Sequence, residues 1–141
     1  SVSRLFDYID RFFDDRRTAQ FDFSGADGLV IQTDLHYLQT IMRNLTANAV
    51  NALRNTDGGI IRWNAATRAE GIQLTITGNG PGIPQDKIPY IFQDSSVSGG
   101  RHGLGLSIVK DLAQAIQCRI TVQSNSNGTV FALLFPSPTS S

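Results

Sequence analysis

Two clusters of glycine, GNGPGIP (residues 78–84) and GGRHGLGLSIV (residues 99–109), constrain this chain more than any other feature. Glycine loses more backbone entropy on folding than any other residue and brings no side chain to a core. At this density it marks backbone that turns tightly or comes close to something. The first cluster directly follows a strand-like run at 72–77. The second leads into apolar residues at helical spacing, Leu104, Leu106, Ile108, Val109, Leu112, Ala113 and Ile116,. A helix that starts in glycines presents unpaired N–H groups and the positive end of its dipole there, which attracts anions. A phosphate-bearing ligand is the first functional expectation.

With 141 residues the chain is long enough for one domain with a real core and short for two,. Twelve Lys and Arg balance twelve Asp and Glu, so the net charge is zero. That balance lacks the basic footprint that nucleic acid or an anionic membrane surface requires. The one cysteine, Cys118, excludes a disulfide within the chain and fits a reducing compartment,. It opens a strand-like run and reads as a small buried thiol. No apolar run approaches membrane-spanning length and no signal peptide opens the chain,. The abrupt helical start is what an excised piece of a longer protein would show.

Residues 2–17 place Val2, Leu5, Phe6, Ile9, Phe12 and Phe13 on one helical face against Arg and Asp on the other,. Residues 20–24 alternate as a strand, 24–28 form a turn, and 29–32 predict a second short strand. Asp34 predicts an N-cap for a helix from 35 to about 54, with Leu38, Ile41, Met42, Leu45, Ala49 and Leu53 as its apolar stripe,. Asn44, Asn48 and Asn51, four and three residues apart, form a second stripe,. Asparagine is a mediocre helix former. Three in register point either to a solvated face or to a row of amides facing a ligand, with oxygens suited to a hard cation such as Mg²⁺. Strands follow at 60–67 and 72–77, then a short helix at 86–92 and a loop at 93–102. The glycine-started helix spans 103–117. Strands at 119–124 and 129–135, joined by the turn NSNG, and a frayed tail at 137–141 complete the pattern. Helices and antiparallel strands segregate in this way in an α+β two-layer sandwich, with helices on one face of a mixed, mostly antiparallel sheet.

These pieces, in this order, resemble the ATP-binding catalytic domain of sensor histidine kinases, in the superfamily shared with gyrase, MutL-type proteins and heat-shock ATPases. The resemblance runs from Leu5 to Pro136. RNLTANAVNAL (residues 43–53) is similar to the family's N box, ITGNGPGIP (76–84) to its first glycine box, HGLGLSIVKDLA (102–113) to its second, and SNSNGTVFALLFP (124–136) to its closing hairpin. The resemblance implies the Bergerat sandwich, ATP and Mg²⁺ as cofactors, and a catalytic domain spanning 1–136. It implies that Asn48 coordinates Mg²⁺, with Asn44 one turn before it. Gyrase-type ATPases carry a glutamate at the Asn44 position, and an asparagine there cannot serve as a general base. Asn51 falls where many kinases have a phosphate-contacting lysine. Gly80, Gly82 and the neighbouring Ile83 match the backbone that approaches the nucleotide, and Phe92 keeps the phenylalanine box with Ile91. Gly103, Leu104, Gly105 and Leu106 match the phosphate-side helix start, and Thr129 a threonine near the base. Arg101 and His102 fall in the lid, where a cation would pair with phosphates. Further implications are a cytoplasmic location, an inner-membrane sensor as the parent protein, and a separate helical dimerisation and phosphoacceptor domain as partner. A response-regulator receiver is a second partner; nucleic acid and direct membrane contact are not expected.

Departures from the family pattern open a second reading. Gly78 stands where the family has the aspartate that accepts the adenine amino hydrogen. Loss of such a charged hydrogen bond costs about 1.5–3 kcal/mol, which is about ten- to a hundred-fold in affinity. The hydroxyls of Thr75 and Thr77 are the nearby candidates to replace it. Arg101 replaces the first glycine of the second box, and Gln93, Asp94 and Ser95 follow Phe92 in place of the usual phenylalanine-box residues. The N box and the GLGLS helix start fit a phosphoryl donor. Gly78 and Arg101 fit a degenerate pseudokinase domain that acts by docking to other proteins.

Overall fold

Period-two alternation in five runs builds one mixed sheet, and the register shows which residues each strand turns inward. The computed structural model describes residues 1–13, 19–92 and 106–136. Strands β1 (Gln20–Ser24), β2 (Ile60–Arg68), β3 (Gly71–Gly78), β4 (Arg119–Asn125) and β5 (Gly128–Pro136) lie in the order β1-β2-β3-β5-β4. β1 runs parallel to β2, and every other pairing is antiparallel. Trp63 sits opposite Phe23 and Ile76, Ile76 opposite Phe131, and Phe131 opposite Val122. One face of the sheet is therefore a continuous apolar layer. The other carries Arg62, Asn64, Gln73, Thr75, Thr77, Thr121 and Gln123, as expected for a sheet covered on one side,.

Three helices supply the cover: α1 (Val2–Phe12), α2 (Leu35–Ala52) and α3 (Leu106–Ala115). α2 lies against β2 and β3, α3 against β4, and both α1 and α3 pack on α2. The class is the expected α+β sandwich. Asp34 caps α2, its Oδ1 accepting the Tyr37 N–H at 3.0 Å, and the Ser1 hydroxyl accepts from Arg4 N–H at the start of α1,. Val2, Leu5, Phe6 and Ile9 are buried. Phe6 meets the rings of Phe23 and Trp63 at centroid distances of 5.3 and 6.3 Å, which seats α1 over the β1–β2 end of the sheet,. At the centre is a polar exception. Thr46, fully buried, donates its hydroxyl to the Met42 carbonyl at 2.7 Å and accepts the Trp63 indole N–H at 3.0 Å.

Several expectations need correction. Residues 29–32 form no strand. The Leu29 N–H donates to the Ala26 carbonyl and its own carbonyl accepts from the Val2 N–H, so this segment closes a turn and ties down α1. Phe12, expected in the core, is 38% exposed and lies under the Arg43 guanidinium at 5.3 Å,. The helix expected at 86–92 is a 3-10 turn, Ile88–Tyr90, because Pro89 has no N–H and disfavours the α region for the residue before it,. α1 is assigned to Phe12; residues 14–17, the loop at 93–102 and the tail at 137–141 lie outside the described residues.

Two expected outcomes test this core. Thr46→Val preserves shape and leaves the buried Trp63 N–H unpaired, so urea denaturation should show a loss of about 1–3 kcal/mol; an unchanged midpoint would mean the indole finds another acceptor. Cys118 is buried, and burial pushes its thiol from 9.0 up to about 12, against a smaller opposing effect from its hydrogen bond with the Leu134 backbone. Its folded value lies above its unfolded one, so its contribution is fully present below pH 9 and is lost as pH rises from there towards 12,. Denaturation midpoints measured across that alkaline range should fall more steeply for the natural protein than for Cys118→Ala.

Candidate functional site

A pocket opens where the C-terminal half of α2 faces the end of β3, the loop after it and the start of β5. Its apolar wall is formed by Leu45, Ala49 and Leu53 from α2, Ile76 from β3 and Phe131 from β5. Phe92 packs edge-on against Phe131 at 6.2 Å and so backs this wall. Around its rim stand Asn48, Gly78, Gly80, Gly82, Ile83 and Thr129. Six candidates from distant parts of the sequence thus meet in one place.

The loop after β3 is held by contacts that local sequence does not reveal. Asn79, between the glycines, accepts the Ile60 N–H on its Oδ1 at 2.7 Å and donates its amide to the Gly58 carbonyl at 3.1 Å. Further along, the Ile83 N–H donates to the Ser124 hydroxyl at 2.7 Å, and Gln85 donates to the Ser124 carbonyl at 2.7 Å. Ser124 Oγ also lies 2.8 Å from the Thr129 hydroxyl. One small side chain on β4 therefore ties the loop exit to β5. Asn79 and Ser124 are site residues that the sequence reading missed, since only the fold brings their partners near.

The three rim glycines have different reasons to be glycine. Gly82 has φ +85°, and a Cβ there would stand 2.1 Å from the Asn125 carbonyl oxygen,. At Gly80 a Cβ would come within 2.9 Å of Leu53 Cδ2 and 3.4 Å of the Ala52 carbonyl, so the end of α2 nearly touches loop backbone. Gly78 is under neither constraint. Its φ is not in the left-handed region, and a Cβ would meet only Leu53 Cδ1 at an ordinary 3.9 Å.

The asparagine stripe divides along α2. Asn48 lines the pocket. Asn44 turns its amide back to the Thr40 carbonyl at 2.9 Å, and Asn51 accepts from the Arg54 guanidinium. Leu106, the first residue of α3, is 2% exposed and belongs to the core. Thr75 and Thr77 cannot reach the pocket, because the register that turns Ile76 inward puts both on the opposite face. Arg101, His102, Gly103, Leu104 and Gly105, with Asp94, lie outside the described residues.

The lining fits a flat apolar ring system with a polar edge. The wall is hydrocarbon and aromatic, the rim is backbone made accessible by glycine, and Asn48 supplies an amide. Among the described residues no three His, Cys, Asp or Glu side chains cluster as a metal cage. A cation here would be one carried largely by ligand phosphates and water with a single amide oxygen from the protein, a coordination suited to Mg²⁺. The glycine assignments have a direct test by thermal or urea denaturation. Gly82→Ala should destabilise by about 1–3 kcal/mol from backbone strain, whereas Gly78→Ala should be neutral or stabilising by about 0.4–1 kcal/mol; equal effects would refute the distinction.

Comparison with known proteins agrees with this geometry. Residues 33–139 match the family model described as histidine kinase-, DNA gyrase B-, and HSP90-like ATPase. The C4-dicarboxylate transport sensor protein DctB of Rhizobium meliloti is 35% identical over 109 residues, 76% of this chain and 17% of that protein. The signal transduction histidine-protein kinase AfsQ2 of Streptomyces coelicolor is 32% identical over 122 residues, 82% of this chain and 22% of that protein. The chain thus spans about a fifth of the length of these relatives. Among solved structures, the catalytic domain of histidine kinase ThkA superposes with a TM-score of 0.81 at 21% identity, covering 96% of this chain and 92% of that one. Full-length ShkA in complex with AMPPNP matches with a TM-score of 0.78 at 23% identity over 99% of this chain and 32% of that one. By its family model this chain belongs to the histidine kinase-, DNA gyrase B- and HSP90-like ATPase family; these relatives are sensor kinases, and its fold is that of the histidine kinase catalytic domains.

Proposed function

We propose that the chain binds Mg·ATP in the pocket between α2 and the β3 loop and presents the γ-phosphate to a histidine on a separate helical domain. The observation that carries this reading is the meeting of Asn48 with Gly80 and Gly82 on one rim, over an apolar wall wide enough for contributions from α2, β3 and β5. Leu45, Ala49, Leu53, Ile76 and Phe131 would hold the base by apolar contact. The glycine loop would let backbone come close to the sugar and phosphates, and the Asn48 amide oxygen would orient the cation. When bound, Mg²⁺ neutralises charge that develops on the transferring phosphoryl group. The chain's own task is then positioning: no carboxylate lines the pocket among the described residues, so none is at hand there to activate a water molecule,. Asn44, which stands where a water-activating base would be needed, is hydrogen-bonded to its own helix.

Further support comes from the relatives, named as sensor kinases, and from ShkA, whose structure holds AMPPNP. The partners that follow are a helical dimerisation and phosphoacceptor domain and a response-regulator receiver. Among the described residues no helix is long and apolar enough to cross a membrane. The setting we propose for the domain is cytoplasmic, within an inner-membrane sensor. Site roles for Asn51, Arg101, His102, Gly103, Leu104, Gly105 and Leu106 on the phosphate side belong to the same proposal.

Gly78 supports one rival. A domain without the adenine-reading carboxylate would bind nucleotide weakly and act by docking on its helical partner or regulator. Calorimetric titration with a non-hydrolysable ATP analogue, with and without Mg²⁺, separates the two. The donor reading expects micromolar, Mg²⁺-dependent binding that Asn48→Ala abolishes while circular dichroism stays native. Absence of binding up to millimolar ligand would leave the docking reading, and unchanged binding in Asn48→Ala would remove the role given to that residue.

A further inference from the structure

We infer that this pocket holds the purine by apolar contact and does not distinguish an amino from a keto group at the purine 6 position. The inference rests on the nucleotide reading above and concerns its selectivity. Where β3 enters the pocket, Gly78 offers no side chain. Its backbone lies in register with Ile61 on one side and Thr129 on the other, within the sheet's own pairing.

Other polar groups nearby are directed elsewhere among the described residues. The Thr129 hydroxyl pairs with Ser124 at 2.8 Å, and the Asn79 amide is held by Ile60 and Gly58. Thr75 and Thr77 face away across the sheet. Asn48 is the amide given to the cation. Apart from the Thr129 hydroxyl, already paired with Ser124, the side chains left at the base end are Leu53, Ile76 and Phe131. A carboxylate at residue 78 would accept a hydrogen bond from a 6-amino group and repel a 6-keto oxygen; hydrocarbon does neither. The backbone at Gly78 tolerates a Cβ, so an aspartate can be introduced there without backbone strain to test the assignment.

The experiment is calorimetric titration of the full chain with ADP and with IDP, each with Mg²⁺, for the natural protein and for Gly78→Asp. IDP carries hypoxanthine, whose 6-keto group replaces the 6-amino group of adenine. For the natural protein the two dissociation constants should agree within about three-fold. In Gly78→Asp, ADP should be favoured by about ten-fold or more, the usual effect of gaining one charged hydrogen bond. A natural protein that already prefers ADP ten-fold would overturn the inference while leaving the nucleotide reading intact. A well-folded Gly78→Asp that binds both ligands equally would overturn the placement of residue 78 at the base. Binding of neither ligand to the natural protein would overturn the nucleotide reading, and this inference with it.

Discussion

Leu53, at the end of α2, presses on backbone where a helix would ordinarily meet side chains. Its methyl groups occupy the space in front of Gly59, Gly78 and Gly80, with an added Cβ at Gly80 falling inside contact distance and one at Gly59 only 3.3 Å away. Glycine at Gly59 and Gly80 lets the helix end sit down on the mouth of the β2–β3 hairpin. That close approach fixes the distance between Asn48, about a turn and a half up the helix, and the loop that carries Gly82. The loop is then pinned from its other side by Asn79 and Ser124. A 1% exposed leucine thus sets the width of the candidate site from behind.

Much of this was legible because it depends on local chemistry. Asp34 announces α2 through a side-chain hydrogen bond three residues away, and the strand alternation fixes inward faces by period alone. The segment at 29–32 reads as a strand through Val30 and Ile31, but the backbone groups of Leu29 are taken by Ala26 and Val2,. Phe12 follows the helical spacing of its buried neighbours, yet it lies at the edge of their stripe, while Phe13 beside it is buried against Phe21. The partner of Phe12 is the Arg43 guanidinium, which no spacing rule could supply. The roles of Asn79 and Ser124 were invisible for the same cause: each acts on residues far along the chain.

The glycine box shows why a motif read as a unit can mislead. Gly82 is glycine because its backbone conformation and the Asn125 carbonyl leave no place for a Cβ, and at Gly80 a Cβ would have to push the Leu53 methyl aside. Gly78 is glycine with room to spare. In the sequence the three look alike; only the surroundings separate a geometric requirement from a chemical choice. A side chain at 78 is therefore open to the fold, whereas one at 82 is not.

The strand order has a further consequence. β2 with β3, and β4 with β5, are hairpins whose strands are neighbours in sequence, whereas β3 and β5 meet only after the chain has returned from α3. Local pairings form quickly and distant ones slowly, so the seam between these two strands, like the parallel pairing of β1 with β2, belongs to the slow part of sheet formation. Gly78 and Thr129 face each other across that seam, and the pocket straddles it. A molecule seated there would touch both halves at once. Its binding would favour the joined sheet by mass action, so a ligand of this pocket would also act as a rivet in the fold.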